Sequence, residues 1–325
     1  MQNSTSQYIN YHTDVKAEEI EWLWYPYIPY GKITLFLGDG GVGKTFTVSD
    51  IIKSVTTGDL LPECDTPPVL STVIYQNAED GKGDTIKPRL QQLGADLSRV
   101  IAINDDEVQL SLADSRIEQA IRDNKARLLI LDPLQAFLGA NIDMHRANEV
   151  RPLLKRLGTI AERTKCAIIL VGHLNKGSDN QSQYRGLGSV DIPAAARSVL
   201  TFGKIHDEDN PDLFGFAHTK SNIAYKGISI AYELSFEKGF NWIGAWDISV
   251  DELLRPSPKE KGRPSIMHDK AKEFLKMELT GKEIPAKEIY ELAEKKNIST
   301  KTLKRVKKDM KIKSFKRDKA WYWTI

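Results

Sequence analysis

Five apolar, β-branched runs recur along the chain: KITLFLG at 32–38, TVIYQ at 72–76, RVIAI at 99–103, ARLLILD at 126–132 and CAIILVG at 166–172. Near-continuous apolar runs of this length predict strands buried on both faces, as in a parallel sheet. Between them the apolar residues change to helical spacing in TFTVSDIIKSVTTG, TIKPRLQQLGAD, ADSRIEQAIRDNK and ANEVRPLLKRLGTIAERTK, with Gly or Asn-Lys as stop signals. Strand and helix alternate, so the expected fold is a doubly wound α/β sheet. After about Ser198 the helices disappear, and SVLTFGKI, LFGFAHTK, ISIAYELSF and NWIGAWDI predict antiparallel strands added at one edge.

A Pro-rich, basic stretch, RPSPKEKGRPS at 255–265, has no aliphatic side chain and suits an exposed linker. Beyond it come three helical segments, MHDKAKEFLKMEL, PAKEIYELAEKKN with Pro285 in its first turn, and STKTLKRVKKDM with Ser299 as N-cap. Two short β-like pieces around RDK close the chain, the plan of a winged helix. The expected layout is a flexible N-terminal arm (1–22), an α/β core (23–250), a linker (251–263) and a small C-terminal winged-helix domain (264–325). Two domains suit 325 residues, at roughly 100–200 residues per domain.

Charge sharpens this division. Residues 259–325 carry 20 Lys+Arg against 10 Asp+Glu, leaving 26 against 34 for the rest, so a net charge of +2 conceals a basic tail and an acidic core. A polyanion partner would be drawn to the tail. No apolar run approaches the ~18 residues of a membrane span, and the polar, acidic start lacks the features of a secretory signal. A cytoplasmic protein without a membrane partner is expected. Cys64 and Cys166 stand far apart in no metal-ligand spacing.

The chemistry begins at Gly38-Asp39-Gly40-Gly41-Val42-Gly43-Lys44-Thr45, which fits G-x-x-x-x-G-K-[ST] between a strand and a helix. The glycines allow backbone N–H groups to face a phosphate, the helix N-terminus adds its dipole, Lys44 reaches the β- and γ-phosphates, and the Thr45 hydroxyl can bind Mg²⁺. Phe46 follows directly and completes the predicted nucleotide-binding segment. Asp132, ending LLILD, supplies the carboxylate of the metal shell. ATP and Mg²⁺ are therefore the expected cofactors. Hydrolysis also needs a base or water-positioning group; Glu79 in QNAED is the candidate, with Asp80 competing. Its strand is expected to lie beside the P-loop strand in a RecA-type order.

The run WLWYPYIPYGKITLFLGDGGVGKT, followed by NAED, LLILDP, ILVGHLNKG, YRGLGSVDIPAAARSVL and HTKSN, resembles the RecA-fold, AAA-type ATPases of plasmids, phages and mobile elements, and among them the RepA-like hexameric replicative helicases. The resemblance covers about residues 20–250. It implies a RecA-like P-loop NTPase core, rings of identical subunits with ATP between neighbours, and a helicase or translocase activity in replication of a mobile element. It further implies roles for His173 as γ-phosphate sensor, Arg197 as an arginine finger acting on the next subunit's nucleotide, and Lys220 as a second trans-acting cation. From the residues alone, each could instead be a rim or surface side chain. The resemblance also places single-stranded DNA on the loops 138–151 and 174–186, the latter carrying Lys176 and Arg185.

Duplex DNA is the expected partner of the tail. Residues 299–325 hold ten Lys+Arg and two Asp+Glu. In STKTLKRVKKDM, Leu303, Val306 and Met310 form an apolar stripe, while Lys301, Lys304, Arg305, Lys307 and Lys308 crowd the remaining surface, as a recognition helix with phosphate contacts would require. Trp321, Tyr322 and Trp323 either pack the hairpin or stack on bases. A non-helicase ATPase, such as a helicase loader, replication initiator or recombination mediator, fits the same features.

Overall fold

The computed structural model describes residues 13, 16–139, 142–174, 191–207, 210–235, 237, 239–255, 266–296, 298–310, 312–317 and 320–324. They belong to two compact units, Met1–Arg255 and Pro256–Ile325. In the first, β1 (Trp22–Trp24) and β2 (Ile28–Pro29) form a hairpin ahead of β3 (Ile33–Gly38), α1 (Lys44–Thr57), β4 (Val73–Asn77) and α2 (Lys87–Leu93). Then come β5 (Val100–Ile101), α3 (Arg116–Asp123), β6 (Leu128–Asp132), α4 (Ala147–Thr164), β7 (Ala167–His173) and a short α5 (Asp191–Ala195). Four strands follow, β8 (Ser198–Lys204), β9 (Leu213–Ser221), β10 (Ile230–Ser235) and β11 (Gly239–Ala245), and α6 (Val250–Leu253) closes the unit.

One nine-stranded sheet runs β11-β10-β9-β8-β3-β7-β6-β4-β5. Neighbours from β8 through β5 are parallel, and β9 to β11 are added antiparallel. Two sequence expectations are corrected here. The strand 198–204 is antiparallel to β9 but parallel to β3 on its other side, and the connection from 174 to 197 exceeds the dozen or so residues that a parallel crossover needs. The strand ending before Glu79 does not lie beside the P-loop strand, because β7 and β6 stand between them.

Side chains alternate across this sheet. Leu35 joins Leu129, Ile168, Leu154 and Leu157 beneath α3 and α4. Phe36 joins Ile130, Ile169, Ile51 and Ile52 on the other face, under α1 and the aromatic hairpin of Trp24 and Tyr27. Each such buried side chain contributes roughly 1.5–3 kcal/mol, so a one-residue slip of β3 would exchange the two cores and lose both.

The boundaries also shift. Ser249 and Glu252 form a capping box on α6, whose Leu253 is buried, so residues 251–255 belong to the first unit rather than to a linker. Within the expected N-terminal arm, Glu18 pairs with Lys165, Glu21 pairs with Arg127 at 2.8 Å, and Trp22 opens β1. Residues 1–12, 14 and 15 lie outside the described residues.

The second unit has its own core. It consists of α7 (Ile266–Leu279), β12 (Ile284–Pro285), α8 (Ala286–Lys295), α9 (Thr300–Asp309), β13 (Lys313–Arg317) and β14 (Ala320–Thr324), with sheet order β12-β14-β13. Phe274, Leu275, Ile289, Leu303, Val306 and Trp323 pack together. The Ser299 hydroxyl accepts from the Thr302 N–H and caps α9. No helix among the described residues is long and apolar enough to cross a membrane.

His218 on β9 locks β8 and the hairpin to the sheet. The Ser198 hydroxyl donates to the Tyr27 carbonyl at 2.6 Å and lies 3.0 Å from His218 Nε2, while Nδ1 accepts from the Gly227 N–H at 2.9 Å. Both ring nitrogens are thus committed in the neutral form, and burial lowers the imidazole to about 4. The unfolded chain, with a histidine near 6.5, takes up the proton first. This contribution to stability is therefore complete above about pH 6.5 and is lost as pH falls toward about 4. Urea unfolding across that range should lose roughly 2–3 kcal/mol more in the parent than in His218→Gln, which keeps polar partners without the titration. Parallel profiles for the two proteins would assign the acid sensitivity elsewhere.

Candidate active site

The loop between β3 and α1 is a chain of small residues shaped by what lies beneath it. Gly43, the N-cap of α1, has φ +87°, a conformation that suits glycine. A Cβ there would stand 2.8 Å from the Tyr232 ring. At Gly38 a Cβ would stand 2.8 Å from the Phe202 carbonyl oxygen. Gly40 and Gly41 meet nothing within 4 Å, so the tip of the loop is open to a ligand. Asp39 is exposed, Val42 is buried, and Phe46 is half-buried beneath the Arg89 guanidinium, 4.6 Å from its ring centroid.

Lys44 and Thr45 begin α1 and point toward the ends of β6 and β7. The Lys44 ammonium donates to the carbonyls of Gly38 at 2.8 Å and Asp39 at 2.7 Å, and lies 3.4 Å from His173 Nδ1. An ammonium has only protons to give, so this contact uses the Nδ1 lone pair and leaves the imidazole proton on Nε2. Nε2 faces Glu79, whose Oε1 is 3.9 Å away. The Thr45 hydroxyl donates to Asp132 Oδ2 at 3.1 Å.

Asp132 is only 3% exposed. Around the same Oδ2 stand the Tyr75 hydroxyl and Asn77 Nδ2, each at 3.4 Å, and Asn77 also donates to the Tyr75 hydroxyl at 3.0 Å. Asn77 Oδ1 accepts the N–H groups of Glu79 and Asp80 at 2.9 and 2.7 Å, which folds the NAED turn over the end of β6. Of the two acidic candidates, Asp80 is engaged by Arg89 at 3.1 Å, whereas Glu79 faces His173. Glu79 reaches the site because β4 lies against β6, with Asn77 level with Asp132.

Burial pushes Lys44, Asp132 and His173 toward their uncharged forms. It lowers Lys44 to about 8, against the opposing pull of Asp132 and Asp39. It raises Asp132 to about 6, with the Thr45 bond opposing and Glu79 adding to the rise. His173 is lowered by burial and by the Lys44 charge. A phosphate would offer Lys44 a counter-charge, and a divalent ion would offer one to Asp132. Thr45 and Asp132 offer the hard oxygen donors that suit Mg²⁺, whose remaining positions are usually filled by phosphate oxygens and water.

The other predicted residues lie elsewhere. Arg197 immediately precedes β8 and is exposed; its N–H donates to the Ile33 carbonyl at 2.9 Å. It therefore sits at the start of β3, roughly 17 Å of strand from the P-loop at its end. It lines a cavity of about 490 Å³ with Lys32, Arg151, Lys155 and Glu162. Lys220 is at the same end, opposite Val199, and its ammonium donates to the carbonyls of Pro193, Ala194 and Ala196 at 2.8, 3.1 and 2.8 Å. All three protons are thereby used to hold the turn that carries Arg197, a role that sequence reasoning missed. Neither cation reaches its own chain's P-loop.

On α9, Lys304 and Lys308 are exposed, and the backbone carries Lys301 and Arg305, whose side chains lie outside the described residues. Lys307 differs from the expectation of a free basic face: its ammonium lies 4.2 Å from the Trp323 ring centroid, where burial lowers its pKa. Trp323 is buried against Tyr290, while Trp321 is 55% exposed. Lys176 and Arg185 lie outside the described residues. Sequence reasoning also missed Tyr75, Asn77 and Tyr232; only the proximity of Asn77 to the acidic pair was a usable signal.

A phosphate cradle after a buried strand, a lysine and a hydroxyl opening the next helix, and a buried carboxylate two strands away define a P-loop nucleotide-hydrolysing domain. The chain belongs to the AAA domain family, whose model matches residues 10–179, and nucleotide binding follows from that membership. No curated protein matches the chain.

Lys44→Ala should abolish ATP turnover, because it removes the charge aimed at the β- and γ-phosphates. Glu79→Gln should retain nucleotide binding and lose about 10²–10³-fold in kcat, within the range of a missing general base. A phosphate-release assay paired with fluorescent-nucleotide binding separates the two effects. The reverse pattern, with Asp80→Asn inactive and Glu79→Gln active, would transfer the role to Asp80.

Proposed function

We propose that the chain is an ATP-driven DNA helicase or translocase that works as a homo-oligomeric ring, a hexamer, in the replication of a mobile element, phage or plasmid. The observation that carries this reading is the position of Arg197. It is exposed, stands at the end of the sheet away from its own P-loop, and shares its cavity with Lys32, Arg151 and Lys155. A cation so presented serves a nucleotide held by another copy, and head-to-tail contacts that close by rotation generate rings. An arginine supplied in this way stabilises the charge that develops on the transferred phosphoryl group. Lys220, by holding the 193–196 turn, fixes where that arginine starts. Lys176 and Arg185 would make weak backbone contacts to single-stranded DNA in the channel.

The second unit supports a duplex-binding role. Its order of helix, strand, two helices and hairpin supports the winged-helix reading, in which α9 would be the recognition helix, with Lys304 and Lys308 among its exposed cations. The same observation favours a second reading, a non-helicase ATPase such as a helicase loader, replication initiator or recombination mediator, in which this domain reads a particular duplex. Strand displacement on a forked substrate separates the two: unwinding supports the helicase, and DNA-stimulated turnover without displacement supports the switch.

The ring reading predicts complementation. Lys44→Ala and Arg197→Ala chains, each inactive alone, should recover part of the ATPase activity when mixed, because some interfaces reunite an intact P-loop with an intact arginine. Zero recovery from verified mixed assemblies would exclude action in trans.

Deleting residues 256–325 should leave an ATP-hydrolysing core with sharply reduced duplex affinity. If the tail neutralises about four to six phosphates, log affinity of the full chain should fall with log salt at a slope of roughly −4 to −5, and the truncated chain should show a shallower one. Lys304→Ala with Lys308→Ala should reproduce part of that change. An unchanged slope in both would make the tail a protein-docking module.

A further inference from the structure

We propose that Tyr232 is a positioning residue of the nucleotide site, whose hydroxyl holds the Val42 carbonyl outward and thereby keeps the Gly43 N–H turned into the phosphate cradle. Tyr232 lies in β10, in the antiparallel extension and beyond the part of the chain that the family model covers. It is fully buried, and its hydroxyl donates to the Val42 carbonyl oxygen.

The effect follows from peptide geometry. The carbonyl of Val42 and the N–H of Gly43 belong to one planar trans unit and point in opposite directions. Anchoring the oxygen therefore fixes the direction of the proton. Nothing in the helix does this job, because the ladder of α1 begins one residue later, with the Gly43 carbonyl accepting from the Thr47 N–H at 2.9 Å. Gly43 is also the residue least able to resist a flip of that peptide, since glycine populates both signs of φ with similar ease. A cradle built from glycines needs an external hold.

Tyr232 is fixed well enough to supply it. Its ring stacks at 6.2 Å on Phe214 and meets Phe240 and Trp242 at 5.1 and 5.7 Å, while its backbone pairs with Phe214 on β9 and Trp242 on β11. The ring also closes the space beneath Gly43. Burial raises the phenol pKa, so the proton is retained for donation. Trp242 ties the same strands to α1 by donating to Asp50 Oδ2 at 2.7 Å, but it does not touch the loop's carbonyl.

The inference rests on the loop being the nucleotide site, which the inactivity of Lys44→Ala tests separately. Tyr232→Phe removes only the hydroxyl, and Tyr232→Met removes it with a different filling of the space. In whichever folds, KM for ATP should rise about five- to tenfold, the loss of one hydrogen bond's worth of preorganisation, while kcat at saturating ATP stays within about twofold because Lys44, Glu79, Asp132 and His173 are untouched. Trp242→Phe is the control for general weakening of the extension: it should lower the unfolding temperature and leave KM unchanged. A folded Tyr232→Phe or Tyr232→Met chain with the parent's KM would overturn the proposal, as would a rise in KM of the same size in Trp242→Phe.

Discussion

A phosphate-binding loop must present several N–H groups to one point, and a run of glycines that can adopt such a shape can abandon it just as easily. The surrounding domain is organised by that constraint. Beneath Gly38 lies the backbone of β8, beneath Gly43 the ring of Tyr232, and behind Lys44 and Thr45 the ends of β7 and β6. The antiparallel strands, which on sequence grounds are additions to an edge, put a hydroxyl under the loop from a position 190 residues away. Their aromatic packing through Phe214, Phe240 and Trp242 stiffens the support.

Burial does the second part of the work. Lys44 and Asp132 are buried and His173 stands half-exposed at their edge, and each is shifted toward its uncharged form. Interactions that would be weak in water are strengthened there. Lys44 is placed to meet a ligand's negative charge and Asp132 to meet a cation. The carboxamide of Asn77 connects this buried set to the more exposed Glu79, because one side chain donates toward Asp132 and accepts the backbone N–H groups of the NAED turn.

Local spacing made part of this legible. The P-loop, its flanking strand and helix, and the carboxylate ending LLILD are each encoded within a few residues. Sequence spacing suggests that the strand before Glu79 lies beside β3, yet Glu79 approaches the site from two strands further out, because β7 and β6 stand between β3 and β4. The parallel direction of β8 was hidden because a short β-branched strand reads alike in either direction. Tyr232, Tyr75 and the three carbonyls that hold Lys220 depend on long-range register. Lys307 read as part of a basic surface, and only the position of Trp323 shows why one lysine of that helix turns onto a ring.

The sheet separates two kinds of cation by its direction. At the C-terminal ends of the parallel strands, Lys44 is buried and held within its own loop; at the opposite ends, Arg197 is exposed beside Lys32, Arg151 and Lys155. Around that cavity, Glu162 pairs with Lys32 at 2.8 Å. Burial, and after it the Arg197 charge, lowers the pKa of Lys220. Yet three carbonyls hold it there. Those three bonds fix the turn from which the Arg197 backbone enters β8. The two ends of the parallel strands thus carry cations of different kinds, one buried in the phosphate loop and one exposed beyond a braced turn.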